Sequence, residues 1–223
     1  MQFIQTTPEQ VVEHVSNRLT DILGTHGRVL WFVSGGSNIS LTVAILNRIP
    51  PDLKPRLAIY LSDERYNEDV EYPESNLFKL AHAGLTPDGA TVIPVLAPGL
   101  SMEEAVERYD NAVTVGLKEA SYVFAYFGMG ADGHIAGILP ASSSVTSTKA
   151  VAGYEAADYR RITITPAIFN KIDEAIIVSF GEGKHEALAN LHDKKLSVKK
   201  QPAQLMKKVP IATVYNDVIG DAA

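Results

Sequence analysis

The stretch GMGADGH, residues 128–134, holds the side chains best suited to acid–base chemistry. His134 can give or take a proton near neutral pH, and Asp132, two residues earlier, can orient that imidazole or bind a sugar hydroxyl. The stretch follows the apolar run SYVFAYF, so we expect a glycine turn to present both side chains at the end of a strand. Local capping or packing by His134 is the alternative interpretation.

The same stretch contains Gly128, Gly130 and Gly133 in the spacing G-x-G-x-x-G, which is typical of dinucleotide sites. A dinucleotide site also needs a long helix after the third glycine and an acidic residue at the end of the next strand. Here Pro140 leaves room for barely two helical turns, and residues 141–159 are polar and predict a loop. We therefore reject a dinucleotide cofactor.

The stretch VSGGSN, residues 33–38, predicts a phosphate-binding loop between a strand and a helix. Gly35 and Gly36 permit a tight turn that exposes backbone N–H groups, and the following helix N-terminus adds positive potential. Ser34 and Ser37 add hydroxyl groups. The spacing is not that of a P-loop, and a plain strand-to-helix turn is the alternative.

Charged side chains lie at the ends of three other predicted strands. Asp63 and Arg65 come directly after RLAIYLS, where a carboxylate can act as a base and a guanidinium can bind phosphate or a developing oxyanion. Arg161 opens RITIT, and Lys184 lies at the expected first turn of a helix, where an anion would explain a lysine. A solvated loop is predicted for the later acids Glu68, Asp69, Glu71 and Glu74.

Composition excludes several classes of function. The 223 residues include no cysteine, which removes disulfides, thiolate catalysis and cysteine-ligated metals and suits a reducing cytosol. A net charge of −6 argues against nucleic-acid or anionic-membrane partners. The histidines lack the spacing of a metal site, and no G-x-S-x-G elbow is present. We also expect no signal peptide and no membrane span. The class of function that these exclusions leave is acid–base chemistry on a small phosphorylated substrate.

Apolar runs that alternate with helical patterns position these groups. The predicted strands are MQFIQ, RVLWFVS, RLAIYLS, TVIPV, SYVFAYF, RITIT, EAIIVSF and IATVY. One helix is expected to be capped by Thr7, and another begins with a Ser101–Glu104 capping box. The alternation predicts one α/β domain over residues 1–223, a doubly wound, mostly parallel sheet with helices on both faces. Such sheets bind ligands at the carboxyl ends of their strands.

The segments that carry these reactive side chains occur in an order and spacing that resemble those of the 6-phosphogluconolactonases. They are SGGSN (34–38), SDER (62–65) with SN (75–76), GMGADGH (128–134), RITIT (161–165) and GEGK (181–184). Over nearly its whole length the chain resembles this family, which also includes glucosamine-6-phosphate deaminases and has a modified doubly wound, Rossmann-like fold. The resemblance implies hydrolysis of 6-phosphogluconolactone to 6-phosphogluconate in the pentose phosphate pathway, in the cytoplasm and without a cofactor.

The resemblance also implies a role for each candidate residue. His134 would activate water against the lactone carbonyl and later protonate the ring oxygen, while Asp132 positions it or polarises the site. Arg65 would stabilise charge on the carbonyl oxygen, and Asp63 would bind a hydroxyl or support these groups. The phosphate would lie on the Gly35–Ser37 backbone, held by two cations, Arg161 and Lys184.

Residues after His134 keep other functions open. Deaminases of the family carry a glutamate immediately before the proline that follows D-G-H, and Leu139 stands there in this chain. The lactonases usually read D-G-H-T-A-S-x-F-P-G, and this chain differs from that pattern at Ile135, Gly137, Leu139 and Ala141. A deaminase or isomerase acting on a related sugar phosphate, or a non-catalytic sugar-phosphate sensor, are the alternatives.

Overall fold

Ten strands and five α-helices form the framework of residues 1–221, the part of the chain that the computed structural model describes. The strands are β1 (Gln2–Gln5), β2 (Val29–Val33), β3 (Leu57–Leu61), β4 (Asp63–Arg65), β5 (Thr91–Ile93), β6 (Tyr122–Gly128), β7 (Val151–Glu155), β8 (Arg160–Ile164), β9 (Glu174–Ser179) and β10 (Ile211–Asn216). The helices are α1 (Pro8–Thr25), α2 (Ile39–Arg48), α3 (Asn76–His82), α4 (Met102–Glu119) and α5 (His185–Asp193).

Seven strands form the parallel central sheet that the sequence predicts, in the order β1-β10-β9-β6-β2-β3-β5. From β2 the chain proceeds outward to β3 and β5, whereas from β6 it proceeds to β9 and β10 on the other side. The direction of winding therefore reverses between β2 and β6. Ligands of doubly wound sheets bind outside the carboxyl ends of the strands at such a switch point.

The central strands are buried on both faces. All five residues of β2, all five of β3 and all six of β9 are buried. Successive side chains of a strand point to opposite faces, so continuous burial requires cover on both sides. Trp31, Phe32 and Phe124 are fully buried in this core, which gives the loops at the strand ends a rigid base.

A second, three-stranded sheet has the order β4-β8-β7 and is antiparallel. The prediction that RITIT belongs to the parallel sheet is therefore wrong. Ile162 and Ile164 are fully buried as expected, but burial does not reveal strand direction, which the hairpin between β7 and β8 determines. The second sheet begins next to the first. Ser62 lies between β3 and β4, and its backbone O accepts a hydrogen bond from Ile164 N of β8 (2.9 Å).

The prediction of a loop over residues 141–159 is also wrong in part, because β7 lies within it. Ala and Gly are weak strand formers, so VAGYE carries little strand signal. Gly153 permits close packing on α4: a Cβ added there would lie 2.7 Å from side-chain atoms of Met102 and Val106. Tertiary packing rather than propensity determines this strand.

The expected helix starts are confirmed, and the edges of the central sheet are short strands. Strands β1 and β5 end the sheet, and Thr7 and Ser101 each accept a backbone N–H in a complete capping box. The charged segment after β3 is itself the short strand β4, and Ser75 caps α3. Within residues 1–221, no helix has both the length and the apolar character needed to cross a membrane.

Candidate active site

A cavity of about 280 Å³ lies at the switch point and gathers most of the predicted site residues. Those that line it are Ser34, Gly35, Gly36, Ser37, Asp63, Arg65, His134, Arg161 and Lys184. They come from loops and strand ends that are distant in sequence. A larger surface cavity of about 670 Å³ lies between α4 and β7, but the predicted residues do not line it. We therefore take the smaller cavity as the candidate site.

Asp132 joins the site through His134. Its Oδ1 lies 2.6 Å from His134 Nδ1 and accepts the His134 backbone N–H at 3.1 Å. Burial alone would raise the pKa of Asp132, but the bonds from His134 outweigh it, and the net pKa is lowered. A carboxylate on Nδ1 fixes that nitrogen as the protonated one, which leaves Nε2 with a lone pair able to accept a proton.

Two glycines of the GMGADGH turn allow the backbone to place the His134 imidazole at the cavity. Gly130 N donates to His134 O (3.0 Å), Gly133 N donates to Gly130 O (2.9 Å), and a Cβ on Gly130 would overlap the imidazole. Gly133 has a φ of +79°, which favours glycine. In the described chain no helix begins directly after His134, and Ile135 instead makes isolated bridges to Met129 and Ile138. The helix that a dinucleotide fingerprint requires is therefore missing here.

The predicted phosphate loop and Lys184 face each other. Residues Gly36–Asn38 form a 3-10 turn that leads into α2, and Lys184 immediately precedes α5. Lys184 Nζ lies 3.5 Å from Ser37 Oγ, although 147 residues separate them in sequence. Burial lowers the pKa of Lys184, an effect that Asp217 partly offsets. A partly desolvated ammonium beside exposed backbone N–H groups is suited to an anion.

Asp63 and Arg161 form the buried charged part of the site. Asp63 Oδ2 lies 3.9 Å from Arg161 Nη1, and both side chains are about nine-tenths buried. Burial raises the pKa of Asp63, an effect that Arg161 and His134 partly offset. Arg161 Nη2 donates to Asp158 Oδ2 (2.6 Å), and within residues 1–221 its buried Nε has no hydrogen-bond partner. The guanidinium thus has unused donor capacity.

The prediction of a fully solvated acidic loop is wrong at Glu74, whose carboxylate contacts three other side chains. Its Oε2 pairs with Arg65 and with Lys79 Nζ (2.6 Å), and it accepts the Tyr159 hydroxyl at 3.3 Å. These partners, with the Lys79 hydrogen bond as the largest effect, lower the pKa of Glu74. Glu74 therefore holds Arg65 in place.

Glu64 and Asn76 were not among the predicted site residues, yet they connect its parts. Glu64 is 1% exposed and accepts four donors: Arg65 N (2.7 Å), Asn76 N (2.5 Å), Leu77 N (3.0 Å) and Ser75 Oγ (3.0 Å). Asn76 lines the cavity and donates to Asp63 O (3.0 Å). A Ser-Asn pair before a helix is a capping pattern and could have indicated this junction.

We expect Gly35→Ala to weaken the site, because an added Cβ would overlap the Asn76 side chain. The backbone φ of −80° is allowed for alanine, so the effect would come from crowding and not from strain. Overpacking of this kind costs about 1–3 kcal/mol of unfolding free energy. Urea denaturation should show this loss, whereas Gly24→Ala, with open space around Gly24, should be neutral or slightly stabilising. Equal stability of the two variants would contradict the packing argument.

The described residues bring together no group of three or more His, Cys, Asp or Glu side chains that could hold a metal ion. The fold and site define a doubly wound α/β protein with a glycine-rich loop and Lys184 across a cavity from a His–Asp pair. The family described as Glucosamine-6-phosphate isomerases/6-phosphogluconolactonase matches residues 5–215, and this chain belongs to it.

Individual relatives support the same assignment. A 6-phosphogluconolactonase of Xylella fastidiosa (strain Temecula1) is 27% identical over 192 residues, 81% of this chain and 78% of that protein. The crystal structure of a 6-phosphogluconolactonase from Shewanella baltica superposes with a TM-score of 0.80 at 18% identity, over 96% of each chain. A monomeric glucosamine-6-phosphate deaminase reaches a TM-score of 0.77 at 17% identity, over 98% of each chain. At these identities the structural likeness supports the shared fold.

Proposed function

We propose that this protein hydrolyses 6-phosphoglucono-1,5-lactone to 6-phosphogluconate. The observation that carries the proposal is the His134–Asp132 pair at a cavity that is also lined by the Gly35–Ser37 loop and by two cations, Arg161 and Lys184. The lactonase names among the relatives support the choice of substrate. The proposal includes a single domain over residues 1–223 and a location in the cytoplasm.

The mechanism assigns the proton transfers to His134. Nε2 takes a proton from water as the water oxygen attacks the lactone carbonyl, and the imidazolium is stabilised by Asp132. The resulting tetrahedral oxyanion is stabilised by the Arg65 guanidinium. When the carbonyl re-forms, the bond to the ring oxygen breaks and His134 returns its proton to that oxygen. One water is consumed, and the side chains return to their starting states without a cofactor.

The phosphate is assigned to the Gly35–Ser37 backbone, Lys184 and Arg161. Arg161 is buried and Lys184 is partly buried, so an anion that pairs with them replaces lost hydration. Asp63 is assigned to a sugar hydroxyl. Burial raises the pKa of Asp63, an effect that the nearby Arg161 partly offsets.

We expect Lys184→Gln to raise the KM for the lactone about tenfold while kcat changes little, because the phosphate is remote from the reacting carbonyl. One charge-assisted hydrogen bond contributes roughly 1.5–3 kcal/mol, which sets this scale. Steady-state kinetics measures the effect, with Lys118→Gln on the exposed surface of α4 as the control. A loss confined to kcat would contradict the assignment of Lys184 to the phosphate.

The deciding assay follows hydrolysis of freshly generated 6-phosphogluconolactone, coupled to 6-phosphogluconate dehydrogenase and corrected for spontaneous hydrolysis. Strong turnover supports the proposal. Release of ammonia from glucosamine 6-phosphate without lactone turnover would favour the deaminase alternative, and binding without turnover would favour a sensor. Leu139 argues against the deaminase, because it has no ionisable group and lines a different cavity from His134.

A further inference from the structure

The turn between β7 and β8, residues 156–159, contacts both arginines of the candidate site. Arg65 Cζ lies 4.4 Å from the centre of the Tyr159 ring, and Arg161 Cζ lies 5.7 Å from the same centre. These two arginines come from different strands, β4 and β8. A single aromatic ring therefore joins a cation assigned to the carbonyl oxygen with one assigned to the phosphate.

Two carboxylates complete this arrangement. Arg65 pairs with Glu74, which also accepts the Tyr159 hydroxyl at 3.3 Å, and Arg161 donates to Asp158 at 2.6 Å. A bound phosphate would compete with Asp158 for Arg161, because both are anions and the guanidinium offers a limited number of donors. The Tyr159 ring is uncharged and does not compete for those donors. It can keep both guanidinium groups in place when an anion binds.

We propose that Tyr159 is a positioning residue that holds Arg65 and Arg161 at the cavity and so sets its affinity for the phosphate of the substrate. The inference rests on the proposed function only in taking a phosphorylated sugar acid as the ligand. An aromatic face attracts a guanidinium most strongly where both are partly desolvated. Arg161 is 8% exposed and Tyr159 is half-buried, so this condition is met. Fixing two long side chains in advance also lowers the entropy cost of binding.

The test is a calorimetric titration of the full chain with 6-phosphogluconate, and with gluconate as the ligand that lacks the phosphate. The variants are Tyr159→Phe, Tyr159→Leu and Tyr159→Ala. Phenylalanine keeps the ring and loses the bond to Glu74, whereas leucine keeps much of the volume and loses the aromatic face. Tyr72→Ala is the control, since Tyr72, like Tyr159, is a half-buried tyrosine that does not line the cavity, whereas the contacts with Arg65 and Arg161 are made by Tyr159.

We expect the Kd for 6-phosphogluconate to rise roughly tenfold in Tyr159→Leu and Tyr159→Ala. Tyr159→Phe should stay within about threefold of the wild type. The weak affinity for gluconate should be the same in every variant. A general loss of structure would instead lower the affinity for both ligands. In lactone hydrolysis, the same two variants should raise KM more than they lower kcat.

Equal 6-phosphogluconate affinity in all variants would overturn the inference, as would a Tyr159→Phe variant as weak as Tyr159→Ala. Equal losses with Tyr72→Ala would also overturn it, because they would indicate a general disturbance of the fold. Failure of the proposed function has a different result: the wild-type protein would not hydrolyse the lactone, while the titration would still report on Tyr159.

Discussion

His134→Ala should lower kcat for lactone hydrolysis by about 10²–10⁴-fold, the range that acid–base transfer supplies. Nδ1 of this imidazole is held by Asp132 at 2.6 Å, so the variant removes an oriented base together with the acid that protonates the ring oxygen. The phosphate loop, Lys184 and Arg161 remain. KM for the lactone should therefore change much less than kcat. Coupled kinetics with subtraction of the spontaneous rate measures both quantities.

The matched control for this variant is His192→Ala. His192 pairs with Asp193 at 2.5 Å and its side chain is 36% exposed, against 34% for His134, but it lies outside the cavity. Replacing it should leave kcat within about twofold of the wild type, since it lies away from the reacting atoms and takes no part in the proton transfer. Full turnover by His134→Ala would refute the role of this histidine, and a comparable loss in both variants would indicate damage to the fold.

Glu64→Ala should be the most destabilising single change near the site, with a loss of about 3 kcal/mol or more in unfolding free energy. The substitution leaves four donors, two of them buried and two partly buried, without their acceptor, and each unsatisfied buried group costs roughly 1–3 kcal/mol. Partial relaxation and entry of water keep the total below the sum. Urea denaturation measures the loss, with the exposed Glu68→Ala as the control. A loss under 1 kcal/mol would show that the donors find other partners.

The same carboxyl should make stability depend on pH. Burial raises the pKa of Glu64 from 4.5 to about 7, although the four hydrogen bonds lower it in part. The folded state then holds this proton more tightly than the unfolded chain. Its contribution to stability is therefore complete below pH 4.5 and is lost as the pH rises through about 7.

Glu64→Gln should remove that dependence. The stability of the wild type relative to Glu64→Gln is expected to fall by on the order of 2 kcal/mol between about pH 5 and pH 8. Shared groups such as Asp63, whose pKa is also raised, largely cancel in the comparison. Urea denaturation of both proteins at the two pH values measures the difference. Parallel pH curves would indicate that Glu64 keeps an ordinary pKa.

Much of the fold could be predicted because its strongest signals are local. Continuous apolar runs such as RVLWFVS indicate strands buried on both faces, and the capping residues Thr7 and Ser101 define where two helices begin. The second sheet could not be predicted in the same way. The VAGYE segment of β7 has little strand propensity, and its pairing with β8 depends on packing against α4.

The candidate site also has a part that the sequence could predict and a part that it could not. The sequence by itself determined the chemical groups, since Asp132 and His134 stand two residues apart in a glycine turn that follows an apolar strand, which predicts both side chains near the end of β6. Only the tertiary structure decided which distant groups meet them. Lys184 reaches Ser37 across 147 residues, and Tyr159, in the turn between β7 and β8, lies against Arg65 of β4. Burial of Glu64 and the resulting rise in its pKa likewise depend on the long-range packing that surrounds it, which no local pattern of residues encodes.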